Sequence, residues 1–216
     1  MRTSSPETFE PNRKSVNLCL IAITVGTFFL LLLLEKRETS GAFYGNTTEF
    51  LLRHGALYGP AVWENREWYR LVTYLFLHSG MEHLAYNMLI LYFIGNLTEK
   101  TMGRIRYAVL YFCSGILAGI GSIVYNGYRS ESLAGNMPVC VGASGAIFGV
   151  SGAVLYLVLV HRGDVPGVSR RQIVLYLILS LCGGLWSREV DNAAHLTGLV
   201  AGFVLAAILY RRPKER

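Results

Sequence analysis

The stretch GASGAIFGVSGAVLYLVLV, residues 142–160, holds nineteen residues and not one formal charge. A helix rises about 1.5 Å per residue, so this run is long enough to cross most of a hydrocarbon layer about 30 Å thick. It reads as a membrane span. Five further windows of the same kind flank it: Val16 to Leu34, Glu82 to Thr98, Ile105 to Tyr125, Gln172 to Trp186 and Asn192 to Tyr210. The whole chain agrees, with 52% hydrophobic and 16% charged residues in 216 and a mean hydropathy of +0.38. A soluble domain usually carries about 25% charged residues. The first window follows Arg13 and Lys14 as a secretory signal would. Its apolar run is nevertheless longer than the usual h-region of about 7–15 residues, and no small-residue cleavage site follows Leu34, so it too is read as a span.

The expected fold is therefore all-α: a polytopic membrane bundle of six transmembrane helices with a long outer first loop. Residues 1–15 form an inner N-terminal segment, 16–210 the bundle and 211–216 an inner tail. With the N-terminus inside, thirteen of the lysines and arginines fall on the inner side and seven on the outer, which favours both termini inside. Lys36 and Arg37, at the outer end of the first window, oppose that orientation. The loop from Glu35 to Met81 is rich in aromatics such as Trp63, Trp68, Tyr69 and Tyr74, and its length calls for short helices of its own.

Several functions are excluded. Cys19, Cys113, Cys140 and Cys182 are widely spaced with no C-x-x-C pair, which rules out a disulfide framework or zinc ribbon. The net charge of +6 sits at the ends of apolar runs, not in a basic stripe interleaved with aromatics, so nucleic acid is not an expected partner. There is no His-Glu-x-x-His, and residues 142–146 do not fit Gly-x-Ser-x-Gly; a zinc protease and an α/β-hydrolase elbow are both disfavoured. No metal or cofactor is expected. A transporter would show paired broken helices and repeat symmetry, which are absent from the sequence. Asn46-Thr47-Thr48 matches a glycosylation acceptor, a pattern common by chance.

Polar side chains inside spans are costly unless paired or facing a cavity, so each is a functional candidate. The second window opens with His83 and Asn87, four residues apart on one helical face. The fourth opens Gly142-Ala143-Ser144-Gly145 and continues to Gly149 and Gly152. The sixth opens Asp191-Asn192-Ala193-Ala194-His195, then Gly198 and Gly202. In the expected topology all three clusters lie at one depth, near the outer helix N-termini, where N–H groups and helix dipoles suit a developing oxyanion. Taken singly each has a plainer explanation. Glycines at small-x-x-x-small spacing are helix-packing surfaces, and His83, Asn87 and His195 could be interhelical hydrogen-bond partners. Together they supply a nucleophile, a base and two donors.

These motifs resemble those of the rhomboid family of intramembrane serine proteases. The matching residues are Trp68-Tyr69-Arg70, His83 to Asn87, Gly142-Ala143-Ser144-Gly145, Ala194-His195-Leu196-Thr197-Gly198, and Gly95, Glu99 and Gly103 as Gly-x-x-x-Glu-x-x-x-Gly. The resemblance implies a serine endopeptidase working by a Ser-His dyad, with Ser144 as nucleophile and His195 as general base. His83, Asn87 and the Ser144 backbone N–H are the implied oxyanion donors. Gly142, Gly145, Gly198 and Gly202 would support the site, and Phe148, four residues after the serine, would pack on the histidine. Asp191 is read as the helix N-cap and not a third catalytic member. The implied partners are single-span membrane-protein substrates and the lipid bilayer; the implied setting is the bacterial plasma membrane. A non-catalytic relative would lack Ser or His, and both are present.

Overall fold

The computed structural model describes residues 15–38, 45–133, 137–162, 165, 168–186 and 190–211, so the expected terminal segments lie almost wholly outside the described residues. The regular elements among them are helical. They are α1 Val16–Glu38, α2 Thr48–Arg53, α3 Gly59–Trp63, α4 Arg70–Thr73 running into a 3-10 turn at Tyr74–Phe76, α5 Met81–Ile90, a π-helical segment Leu91–Gly95, α6 Asn96–Met102, α7 Arg104–Leu133, α8 Ser144–Val160, α9 Arg170–Trp186 and α10 Asn192–Leu209.

Helix α8 is the centre. It is apolar on all sides and continuously buried from Gly145 to Val154, as expected of a helix enclosed by others. Its closest packing is against α10, then α7. The outer helices turn one stripe inward: in α1, Leu20, Thr24, Phe28, Leu31 and Glu35 are buried at spacings of three and four, while Ile23, Leu30 and Leu33 are exposed. Among the described residues three helices are long and apolar enough to cross a membrane, namely α1, the Arg104–Tyr128 part of α7, and α10; α8 is apolar but has only 17 residues. Together they make this an integral membrane protein.

The second window departs from expectation. It is not one regular α-helix but three consecutive helical segments, with the π-helical turn at Leu91–Gly95 between α5 and α6. The irregularity has a partner. A π-turn displaces backbone carbonyls from the usual ladder, and the side chain of Asn17 donates from Nδ2 to the Leu91 carbonyl at 3.0 Å. The glycines and glutamate around it each have a distinct cause. A Cβ at Gly95 would collide with the Asn17 side chain and lie 2.7 Å from the Tyr107 hydroxyl. Glu99 receives the backbone N–H groups of Val16 and Asn17, both at 2.9 Å, so it caps α1 from across the bundle. Gly103 ends α6 at φ 86°, a conformation that glycine adopts freely.

The segment between α1 and α5 contains short helices, as its length required. Buried Arg70 donates to the carbonyls of Leu52 (2.8 Å) and Ala56 (2.7 Å), and Glu35 accepts the Thr47 N–H at 3.1 Å, tying the segment to the end of α1. Asn46 is buried and donates to the His78 carbonyl at 3.3 Å, so its amide is not presented as a glycosylation acceptor.

Candidate active site

Ser144 opens α8, and the chain leading to it is fixed by backbone pairing. Cys140 and Leu57 exchange two N–H···O bonds of 2.9 Å, and the Gly142 N–H donates to the Tyr74 carbonyl at 3.0 Å. Gly142 has φ 123°, which disfavours any side chain. The N-cap residue Ala143 provides no side-chain hydrogen bond, so the positive end of α8 is open at Ser144.

His195 stands in the first turn of α10, and its Nε2 is 2.9 Å from Ser144 Oγ. Phe148 stacks on the imidazole with ring centroids 4.1 Å apart and planes 14° from parallel. The other ring nitrogen, Nδ1, is buried and has no hydrogen-bond partner among the described residues. No carboxylate among the described residues bonds to it. Asp191 is occupied elsewhere: Oδ1 accepts the Ala194 N–H at 2.9 Å as an N-cap, and Oδ2 accepts from Ser122, from Cys140 Sγ at 3.2 Å and from Asn126 at 3.4 Å. Burial, and next the Asp191 charge, push the Cys140 thiol up to about 12, so it stays protonated and serves as a donor.

The glycines set how closely these helices approach. A Cβ at Gly198 would overlap the Gly145 carbonyl oxygen, one at Gly202 would overlap that of Gly149, and one at Gly152 would overlap that of Leu199. A Cβ at Gly145 would lie 2.8 Å from that of Ala118 on α7. The glycine faces of α8 and α10 thus meet backbone to backbone, which brings His195 within reach of Ser144.

His83 and Asn87 converge on the same place. From the position a Cβ of Gly142 would take, His83 Nε2 is 2.8 Å away and Asn87 Nδ2 3.6 Å. Eight of the nine candidate site residues therefore lie around the head of α8, and Gly202 packs one turn deeper, against Gly149. One neighbour was missed. His78, fully buried ahead of α5, meets Asn87 Nδ2 through its Nε2 at 3.0 Å and packs edge-on against the ring of His83 at 4.9 Å. The only hint in the sequence is a histidine directly after the apolar run Tyr74–Leu77, off the i, i+4 register of the following helix.

The rhomboid domain family matches residues 65–212, well over half of the chain. Across 208 residues the chain is 33% identical to rhomboid protease GluP of Bacillus subtilis strain 168, covering 96% of this chain and 37% of that protein. It is 36% identical over 173 residues to RHOMBOID-like protein 2 of Arabidopsis thaliana, covering 79% of this chain and 51% of that one. Rhomboid protease AarA of Providencia stuartii is 29% identical over 216 residues, covering 89% of this chain and 71% of AarA. The chain belongs to the rhomboid family. It spans well under two thirds of the length of GluP and of the plant relative.

Proposed function

We propose that the chain is a serine-type intramembrane endopeptidase that hydrolyses peptide bonds in or near the transmembrane segments of other membrane proteins, single-span proteins foremost. The observation that carries this reading is the 2.9 Å contact between Ser144 Oγ and His195 Nε2 at the open end of α8. A serine hydroxyl is a weak nucleophile at neutral pH and gains reactivity from an adjacent base. His195 takes the hydroxyl proton at Nε2 as Oγ attacks the scissile carbonyl, then gives it to the departing amine. Water, deprotonated by the same nitrogen, hydrolyses the acyl-serine and restores Ser144. Phe148 holds the ring plane in place of a carboxylate.

Negative charge on the carbonyl oxygen would be met by the Ser144 backbone N–H, His83 Nε2 and Asn87 Nδ2. Ser79 Oγ lies 3.4 Å from His83 Nδ1. With the hydroxyl donating there, the ring proton sits on Nε2, the nitrogen that faces Gly142. A bare Cα at residue 142 leaves room for the substrate between these donors.

The same reading places six spans in the membrane, with the α5–π–α6 rod and α9 added to the four apolar helices already described, in a bacterial-type arrangement with both termini inside. Residues 16–210 form one protease domain, α1 being joined to it through Asn17 and Glu99. A reporter fused after Arg216 is expected to score as internal; an external signal would reverse the orientation.

A fluorophosphonate probe tests the chemistry. Added to the purified chain in lipid vesicles, it should label one peptide, that containing Ser144, and block cleavage of a single-span fluorogenic substrate in proportion to labelling. Cleavage that persists in fully labelled protein would refute the serine mechanism.

A further inference from the structure

We infer that His78 is a positioning residue: it accepts one N–H of the Asn87 side-chain amide and so holds the other toward the oxyanion. The inference rests on the reading of Asn87 as an oxyanion donor. A primary amide has two faces of opposite character, and rotation by 180° about its last bond exchanges NH₂ for oxygen. A donor site tolerates only one of them, because an amide oxygen turned toward a developing oxyanion repels it. Asn87 is 5% exposed, so solvent does not settle the choice. Among the described residues the one hydrogen-bond partner of its side chain is His78, with Asn87 Nδ2 3.0 Å from His78 Nε2.

For Nδ2 to donate there, the His78 proton must sit on Nδ1 and Nε2 must present its lone pair. In that tautomer Nε2 is purely an acceptor, and the flipped amide would face it oxygen to lone pair. With its proton on Nδ1, the tautomer that the placement of Asn87 Nδ2 beside Nε2 requires, His78 selects one orientation of Asn87. Burial, reinforced by neighbouring His83, lowers the His78 pKa to about 3, so the lone pair persists at any working pH.

The backbone around His78 is held from several sides, while the ring's Nδ1 is buried with no hydrogen-bond partner among the described residues, so Asn87 is the polar contact of the ring. His78 is 0% exposed and lies against the His83 ring. Its carbonyl accepts from Asn46 Nδ2 at 3.3 Å, and the next carbonyl, that of Ser79, accepts the Asn46 N–H at 2.9 Å. A residue wanted only for volume at this position would be apolar. A fully buried imidazole aimed at a donor of the site has a use for its nitrogen.

The test compares kcat and KM in lipid vesicles, with the full chain and a single-span fluorogenic substrate, for wild type, His78→Phe, His78→Gln, Asn87→Ala and the two double variants, with melting temperatures alongside. Phenylalanine keeps the ring and removes the acceptor; glutamine restores an acceptor. Asn87→Ala should lower kcat by about 10–10³. His78→Phe should lower kcat about tenfold or more with KM nearly constant, and should cost nothing further when Asn87 is already alanine. His78→Gln should recover kcat to within about threefold of wild type. Equal fold losses for a His78 variant in both backgrounds overturn the inference, as does a folded His78→Gln no faster than His78→Phe. Should His78→Phe fail to fold, His78→Gln decides by the same comparison: near-normal turnover supports the inference, and an equal loss in both backgrounds overturns it. A normal rate for Asn87→Ala would instead remove the donor reading beneath it.

Discussion

His195→Ala and Ser144→Ala are each expected to reduce proteolysis to background in protein that still folds. The first removes the base whose Nε2 lies 2.9 Å from the nucleophile, and the second removes the nucleophile itself. A general base contributes about 10²–10⁴ in rate, and loss of the nucleophile takes the covalent route with it. Because the two act as a unit, the double variant should be no slower than the slower single one. Folding should survive for a structural reason. Ser144 is only partly buried, and its backbone is held by the Cys140–Leu57 and Gly142–Tyr74 bonds, which its side chain does not touch. The alanine at residue 195 gives up stacking on Phe148 but also removes a buried nitrogen, Nδ1, that has no partner among the described residues. Substrate cleavage measured beside thermal melting checks this. Cleavage above a few per cent of wild type by either folded variant would refute the dyad.

Much of the site was legible because its residues obey helical spacing. His83 and Asn87 share a face by being four apart, Phe148 reaches His195 by standing one turn below Ser144, and Asp191 caps α10 as an aspartate ahead of an apolar run should. What escaped depends on contacts distant in sequence. His78 precedes α5 and belongs to no helical register, so only the folded chain shows it beside Asn87. The π-helical turn at Leu91–Gly95 leaves no mark in an evenly apolar window; its partner Asn17 lies 74 residues away. The same holds for Asp191. Its role as a cap was readable, while the gathering of Ser122, Asn126 and Cys140 around its second oxygen was not.

Gly198→Val is expected to abolish activity by moving helices, without removing any reacting atom. The Cβ would occupy the space of the Gly145 carbonyl oxygen, and that obstacle is helix backbone one residue from the nucleophile, unable to swing aside. Overpacking that side chains can absorb costs about 1–3 kcal/mol; here α10 must shift bodily from α8. His195 stands three residues before Gly198 on that helix, so the 2.9 Å contact with Ser144 opens with the shift. Since small misplacements of reacting groups cost about 10²-fold, fluorophosphonate labelling of Ser144 should slow by at least that factor, and the melting temperature should fall. Gly202→Val, which meets the Gly149 carbonyl one turn deeper, should lower the melting temperature in the same way. Gly26→Ala supplies the contrast. Nothing among the described residues lies within 4 Å of a Cβ there, in the middle of α1, and alanine is the better helix former by about 1 kcal/mol, so labelling and melting should be unchanged or improved. If Gly198→Val labels as fast as wild type, the spacing of α8 and α10 is not what holds nucleophile and base together.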